Sequence, residues 1–241
     1  MTRLWDGASI VALGQQSYDS RGRLVCSAVR MNPATFSSPP ASACDAGTEG
    51  PFGPDRITRN EYDAAGQVTA VWSAYGTPLA QKTAAYTYTP NGQVATLTDA
   101  RNFRTTYEYD GLDRLDKRRY PHPTSTHQSS TTDFEQFHYD AGRLSGERRR
   151  SGHTFSFAYD DLGRITERDA PGTQPDIAYA YDLLDRVTSV TQTGGHTLTA
   201  EYDALSRLVK EQSGELGTVT YEYDAAGRRT KMIVSVSPTP S

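Results

Sequence analysis

The sequence is short of large apolar residues. Leu, Ile, Val and Phe together make up about 16% of the 241 residues, less than the ~20% below which a compact core becomes doubtful. Disorder would also require a large net charge, and the formal net charge is only −4. Tyr, with 15 residues, supplies apolar area instead. A chain rich in Tyr, Thr, Asp, Arg and Gly favours β-sheet and turns over helices.

Other shortages exclude whole classes of protein. The sequence has no run of 18 apolar residues, so no membrane-spanning helix is expected. Residues 1–30 lack the basic start and apolar stretch of a secretory signal. The slight acidity argues against a nucleic-acid partner. Two cysteines, Cys26 and Cys44, cannot form a disulfide framework or a four-ligand zinc site on their own.

A short motif recurs along the whole chain. The dipeptide Tyr-Asp occurs eight times, and a ninth copy has Thr89 after Tyr88. The full form is Tyr-Asp-x-x-Gly-Arg followed by an aliphatic residue, and the last five copies are spaced by 20 to 22 residues. Residues 1–241 are therefore predicted to form a single repeat region with a period of about 21. The signatures lie at 18–23, 62–67, 88–93, 109–114, 139–143, 159–164, 181–186, 202–207 and 223–228.

The motif predicts a β-hairpin. Asp-x-x-Gly-Arg fits a three-residue loop with Gly in the left-handed region, and the Asp side chain can accept hydrogen bonds from the loop backbone. This loop places Tyr62 opposite Val68 and Asp63 opposite Gln67. The copy at Tyr139 is one residue shorter and fits a two-residue loop. The predicted fold is all-β, with tandem hairpins forming a curved antiparallel sheet.

The candidate site residues are those that set the turns and the register. They are Tyr18, Asp19, Gly22, Arg23, Tyr62, Asp63, Gly66, Tyr109, Asp110, Arg114, Tyr139, Asp140, Gly142, Arg143, Tyr159, Asp160, Gly163, Arg164, Tyr181, Asp182, Arg186, Tyr202, Asp203, Arg207, Tyr223, Asp224, Gly227 and Arg228.

Three segments depart from the repeat. Residues 30–56 are rich in proline and are predicted to be a loop insertion. Residues 120–134 are predicted to be a second loop, and residues 235–241 a frayed tail. Cys44 lies in the first loop and Cys26 on the strand before it, so a disulfide between them is one alternative and two unpaired thiols the other.

The repeated residues could have chemical roles as well as structural ones. The motif aspartates could form a row of metal sites, but no calcium-binding loop pattern is present and turn capping is favoured. The tyrosine rows could bind carbohydrate, although their fixed register favours packing between hairpins. The basic runs 117–119 and 148–150 are interpreted as solvated strand ends. No catalytic residue, metal site or cofactor is predicted, and the chain is expected not to be an enzyme.

Repeated Tyr-Asp-x-x-Gly-Arg-Leu at this period resembles the YD repeats of Rhs proteins, a family similar to the C components of insecticidal toxin complexes and to the teneurins. The resemblance runs from Tyr18 to Arg229. It implies a β-sheet shell that in bacterial members encloses a C-terminal toxin. The self-cleavage activity of some members is not carried over, because no matching terminal region is found. The chain is thus expected to be a piece of a longer shell or the product of a truncated reading frame.

The resemblance also implies partners and a location. The expected partners are further YD-repeat segments of the same shell or a toxin cargo, and the expected location is secreted or at the cell surface. The main hypothesis is a structural module of a shell that encloses or delivers a polymorphic toxin. The alternative is a cell-surface module that binds carbohydrate or mediates adhesion.

Overall fold

The chain folds as a series of antiparallel β-hairpins, and the predicted all-β class is confirmed. The computed structural model describes residues 2–5, 10–214 and 217–236. The described residues form 19 strands and one short 3-10 helix. No helix within these ranges is long and apolar enough to cross a membrane.

The chain divides into two compact units, Met1–Phe134 and Glu135–Ser241. The boundary falls within strand β10, which runs over Ser129–Asp140. The motif nevertheless continues through both units, since five hairpins of the second unit carry it.

In the first unit, each strand pairs antiparallel with the next strand along the chain. The strands are β1 (Thr2–Trp5), β2 (Ile10–Tyr18), β3 (Leu24–Arg30), β4 (Arg56–Tyr62), β5 (Val68–Ser73), β6 (Gln81–Tyr88), β7 (Val94–Asp99), β8 (Arg104–Tyr109) and β9 (Leu115–Pro121). The 3-10 helix Pro33–Thr35 lies between β3 and β4.

In the second unit, pairing is again antiparallel and sequential, starting from β10. The following strands are β11 (Arg143–Arg148), β12 (Thr154–Tyr159), β13 (Ile165–Asp169), β14 (Ile177–Tyr181), β15 (Val187–Gln192), β16 (Thr197–Tyr202), β17 (Leu208–Ser213), β18 (Gly217–Tyr223) and β19 (Arg229–Ser235).

The register places the motif tyrosine opposite the aliphatic residue that ends the motif. Tyr62 pairs with Val68 in the first unit and Tyr181 with Val187 in the second. A shift of register just before the tyrosine makes room for the three-residue loop. In the shorter copy, Tyr139 pairs with Leu144 across a two-residue loop.

The second predicted loop is shorter than expected. The sequence predicted a loop at 120–134, but β9 extends to Pro121 and β10 begins at Ser129, so the connection covers only 122–128. The Ser/Thr run at 129–132 is compatible with a strand, since Thr has high β propensity. The Ser129 hydroxyl also fixes the start of β10, because it lies 2.6 Å from the Thr106 hydroxyl of β8. Of the tail predicted at 235–241, residues 237–241 lie outside the described residues.

The most deeply buried side chains lie under the segment between β3 and β4. We call residues 31–55 the cap loop. A cluster of Cys26, Ala28, Ala43 and Ile57 is packed between this loop and the strands beneath it. Most side chains on the other strands are only partly buried. The cap loop therefore gives the first unit a local two-layer core that the repeat alone does not provide.

Candidate functional site

The repeated turn is built around an aspartate carboxylate. In the first copy, Oδ1 of Asp19 accepts hydrogen bonds from the backbone N–H groups of Arg21 (2.9 Å) and Arg23 (3.0 Å). The backbone N–H of Gly22 donates to the carbonyl of Asp19 at 3.0 Å, which closes the turn. The same two contacts to the carboxylate recur at Asp110, Asp160, Asp182, Asp203 and Asp224. At Asp63, Oδ1 accepts from the backbone N–H of Gln67 at 2.9 Å.

An ion pair closes each of the six full-length turns that contain arginine. Nε of Arg23 donates to Oδ2 of Asp19 at 2.7 Å. The equivalent pairs are Arg114–Asp110, Arg164–Asp160, Arg186–Asp182, Arg207–Asp203 and Arg228–Asp224, with distances of 2.6 to 2.8 Å. The carboxylates are thus held by their own turns.

These contacts lower the pKa of all six carboxyl groups below the ordinary aspartate value. At Asp19, Asp160, Asp203 and Asp224 the largest cause is a hydrogen bond from the backbone N–H of the motif arginine. At Asp110 and Asp182 it is the hydrogen bond from the guanidinium. In each case the folded state favours the ionised carboxylate.

We expect acid to destabilise the protein through these groups. A carboxyl whose pKa is lower in the folded state contributes stability above its unfolded pKa of about 3.9, and that stability is lost as the pH falls through the folded value. The urea midpoint of unfolding should therefore change little between about pH 7 and 5 and fall steeply below about pH 4. A midpoint that stays constant or rises from pH 5 to pH 3 would show that the turns do not depend on the ionised form.

The fifth position of the motif has a left-handed backbone in every copy of full length. Glycine occupies it at Gly22, Gly66, Gly92, Gly163 and Gly227, with φ between 78° and 92°. Asp113, Asp185 and Ser206 replace glycine at φ of 61° to 62°. In the shorter copy, Ala141 (45°) and Gly142 (85°) form the two-residue loop, as expected for a type I′ turn.

The three replacements make a contact that glycine cannot make. The Asp185 carboxylate accepts from Nη1 of Arg164 at 2.8 Å, and the Ser206 hydroxyl accepts from Nη1 of Arg186 at 3.2 Å. The Asp113 carboxylate accepts from the side-chain amide of Asn91 at 2.8 Å. In each case the donor belongs to the preceding hairpin, so the side chain adds a link between hairpins at a position of backbone strain.

Gly22→Ala is expected to lower the free energy of unfolding by about 1 kcal/mol, because an L-residue is strained at positive φ. An added Cβ would meet no atom within 4 Å, so the change in the free energy of unfolding measures the backbone strain alone. Gly111→Ala is the matched control, since Gly111 also has open space but no positive φ. Chemical denaturation of the two variants should separate them; equal stabilities would contradict the strained turn.

The motif arginine also contacts the next hairpin. The guanidinium of Arg164 lies 4.8 Å from the centroid of the Tyr181 ring, and its Nη1 donates to the carbonyl of Asp182 at 3.1 Å. The same ring and carbonyl contacts join Arg23 to Tyr62 and Asp63, Arg143 to Tyr159 and Asp160, Arg186 to Tyr202 and Asp203, and Arg207 to Tyr223 and Asp224. Cation–π contact and hydrogen bond therefore couple neighbouring repeats.

Glutamine also bonds the next hairpin where it replaces arginine, but at the carbonyl of the fifth motif position. The side-chain amide of Gln67 donates to the carbonyl of Gly92 at 3.0 Å, and that of Gln93 donates to the carbonyl of Asp113.

The motif tyrosine forms the most regular contact between hairpins. The hydroxyl of Tyr88 donates to the backbone carbonyl of Val68 at 2.6 Å, and Val68 is the residue paired with Tyr62. The equivalent bonds are Tyr62 to Leu24, Tyr109 to Val94, Tyr159 to Leu144, Tyr181 to Ile165, Tyr202 to Val187 and Tyr223 to Leu208, at 2.8 to 3.0 Å. Tyr18 differs, since its hydroxyl bonds the side chain of Gln16. We call the seven bonds to carbonyls the tyrosine ladder.

The cap loop is attached to the first hairpin by a disulfide and by backbone contacts. Cys26 of β3 is joined to Cys44, with their Cα atoms 5.2 Å apart. Next to this bond, the backbone N–H of Ala43 donates to the Ser17 hydroxyl at 2.8 Å.

A buried ion pair holds both ends of the cap loop. Arg30 is 3% exposed and Asp55 5% exposed, and Nη1 of Arg30 donates to Oδ2 of Asp55 at 2.6 Å. The guanidinium also donates to Oε1 of Gln15 and to the carbonyls of Ser42 and Asp45. Burial raises the pKa of Asp55, but hydrogen bonds from Arg30, Met31 and Gly47 outweigh it, so the net pKa lies below the usual value.

Sequence reasoning missed two of these features. The tyrosine hydroxyl had a visible signal, because the motif position is always Tyr whereas the position two residues earlier accepts Phe at Phe137 and Phe157. Arg30, Asp55 and Gln15 had none, since they lie outside the repeat and are brought together only by the path of the cap loop.

The arrangement is suited to joining hairpins. Within the described residues, no group of three or more His, Cys, Asp or Glu side chains is placed to hold a metal ion. The motif aspartates bond their own turns, the arginines and tyrosines bond neighbouring hairpins, and the result is a sheet extended one hairpin at a time.

Comparison with known proteins agrees with this geometry. The family model described as RHS Repeat matches residues 88–122 and 202–235. A comparison with curated proteins finds no match. Among solved structures, the chain is similar to the crystal structure of TcdB2-TccC3-TEV, with 14% identity, a TM-score of 0.67 and coverage of 92% of this chain. It is also similar to that of TcdB2-TccC3-Cdc42, with 15% identity, a TM-score of 0.64 and coverage of 98%.

At these identities the structural likeness concerns the fold alone. The chain spans only 11% and 15% of the length of those two structures. The family model identifies the repeat in two stretches of the chain, and the structural likeness shows that the chain shares its fold with part of each of those structures.

Proposed function

Because the chain is an Rhs-type protein with YD repeats, as the sequence predicts, we propose that it forms a segment of a shell that encloses or delivers a toxin. The observation that carries the proposal is the regular linkage of each hairpin to the next. Tyr202, for example, bonds the carbonyl of Val187 while Arg186 lies over its ring. A sheet that extends by such repeated contacts can form a wall without a solid core.

The proposed role is structural and not enzymatic. The charged groups of the motif are used within the wall, as the Asp160–Arg164 pair illustrates. The partners proposed are further YD-repeat segments and a toxin cargo, and the site of action is outside the producing cell. A carbohydrate-binding role gains no support, because the hydroxyls of the tyrosine ladder already bond backbone carbonyls.

The organisation proposed along the chain is a continuous repeat with two insertions. Residues of the motif set turn and register in each hairpin, the cap loop covers the first hairpin, and the connection at 122–128 separates two stretches of repeats.

The proposal is tested on the native gene product, purified from its source and imaged by electron microscopy. We expect a hollow particle whose wall contains these hairpins, and an enclosed polypeptide that resists protease until the particle is opened with denaturant. A particle with no enclosed chain, or hairpins that form an open rod, would contradict the proposal.

A further inference from the structure

The cap loop covers the most deeply buried part of the first unit. Cys26 and Ala43 have no exposed surface, Ile57 is 1% exposed, and Phe36 of the cap loop itself is 4% exposed. Strands β3 and β4 supply one side of this small core and the cap loop the other. Opening the loop would therefore expose an apolar strand face without breaking any pairing between strands.

The two cysteines of the disulfide differ in exposure. Cys26 is fully buried on β3, whereas Cys44 of the cap loop is partly exposed. A thiolate from solution is therefore expected to approach the bond from the side of Cys44, with the sulfur of Cys26 as the leaving group. Thiol–disulfide exchange would thus start at Cys44, and it would break the covalent bond between the cap loop and β3.

We propose that the Cys26–Cys44 disulfide is a redox-sensitive closure of the cap loop. A dithiol reductant attacks Sγ of Cys44 and forms a mixed disulfide, while Cys26 leaves as a thiolate and takes up a proton. The second thiol of the reductant then attacks its own sulfur in the mixed disulfide, which releases Cys44 as a thiol and leaves the reductant as a cyclic disulfide. The loop opens, and the repeated hairpins stay folded.

The contacts that remain after reduction lie on both sides of Cys44 and at the end of the loop. Arg30 binds the carbonyls of Ser42 and Asp45 and the Asp55 carboxylate, and the backbone N–H of Ala43 bonds a hydroxyl of β2. These contacts oppose opening, so reduction shifts the opening equilibrium without removing every link between the loop and the strands. The disulfide closes a segment of 18 residues, and cross-links of about this length shift an opening equilibrium by about a hundredfold. Oxidising compartments would keep the loop closed and reducing ones would open it.

The test uses the intact chain with and without dithiothreitol, and follows chymotrypsin cleavage after Phe36 by mass spectrometry. Leu183 of the second unit, which is fully exposed, is a slower chymotrypsin site that reports protease activity in both states. We expect dithiothreitol to raise the cleavage rate after Phe36 by about a hundredfold. In parallel, iodoacetamide should label Cys26 about as fast as Cys44 once the bond is reduced.

Two results would overturn the proposal. One is reduction in which Cys44 is alkylated while Cys26 stays protected and Phe36 resists cleavage, because the loop then remains closed. The other is loss of hydrogen-exchange protection in the hairpin around Tyr202 and Leu208 of the second unit, because the bond would then act on the whole fold.

The double variant Cys26→Ser/Cys44→Ser is the control for the reductant. Without dithiothreitol it should be cleaved after Phe36 at the rate of the reduced wild type, and dithiothreitol should not change that rate. Resistance of the variant to cleavage would contradict the proposal. None of these outcomes depends on whether the chain encloses a toxin.

Discussion

Asp55→Ala is expected to lower the free energy of unfolding of the first unit by about 3–5 kcal/mol, because it leaves the buried Arg30 guanidinium without its counter-charge. Arg30 is 3% exposed, and the Asp55 carboxylate also accepts the backbone N–H groups of Met31 and Gly47. The substitution therefore removes three hydrogen bonds to one buried group. Urea denaturation followed by circular dichroism measures the loss in this variant and in its control, which lies in the second unit.

Glu201→Ala is the matched control for a surface ion pair. Glu201 bonds Lys210 at 2.8 Å but is 60% exposed, and exposed pairs contribute about 1 kcal/mol or less. Equal losses in the two variants would show that the Arg30–Asp55 pair is not buried in solution.

The second large effect is expected from removing hydroxyls of the tyrosine ladder. The triple variant Tyr181→Phe/Tyr202→Phe/Tyr223→Phe keeps the rings but loses three bonds to backbone carbonyls. Each net bond is worth about 1 kcal/mol, so the second unit should lose about 3 kcal/mol if the sites act independently. Thermal and urea denaturation measure the change.

Tyr179→Phe is the control for the ladder. Tyr179 lies two residues before the motif tyrosine, at a position where other repeats have Phe137 and Phe157. Its replacement should change the stability by less than about 0.5 kcal/mol. If Tyr179→Phe costs as much as Tyr202→Phe, the hydroxyl contacts do not distinguish the two tyrosine positions.

The hairpin register could be predicted because the loop and the side-chain pattern carry the same information. A three-residue loop at 64–66 leaves only one pairing that puts Tyr62 opposite Val68, and a shift by one residue would reverse every side chain. The shorter copy at Tyr139 could be placed for the same reason, since a two-residue loop restores the pairing with Leu144.

Contacts between hairpins were harder to predict than contacts within them. The motif arginine faces its own aspartate in any hairpin of this register, and the sequence indicates that pair directly. Its second contact, to the tyrosine ring of the next hairpin, depends on how successive hairpins are offset. The offset cannot be predicted from the residues of a single motif. Only the preference for Tyr over Phe at the motif position indicates that a hydroxyl contact exists between hairpins.

The cap loop shows where sequence reasoning stops. Proline-rich composition identified residues 30–56 as an insertion, and the positions of Cys26 and Cys44 allowed a disulfide. Burial of Arg30 and Asp55 could not be predicted, because charged residues are ordinarily exposed and only the folded path brings them together. Strand β10 is a similar case, since its Ser/Thr-rich start has a loop-like composition but pairs as a strand.

The most direct test of the account compares Tyr109→Ala with the wild type on a glycan array and in denaturation. If the motif tyrosines build a wall, the wild type binds no glycan, and the variant is less stable because it loses the ring and the bond to the Val94 carbonyl. Glycan binding by the wild type, lost in Tyr109→Ala with the free energy of unfolding unchanged, would contradict the structural role.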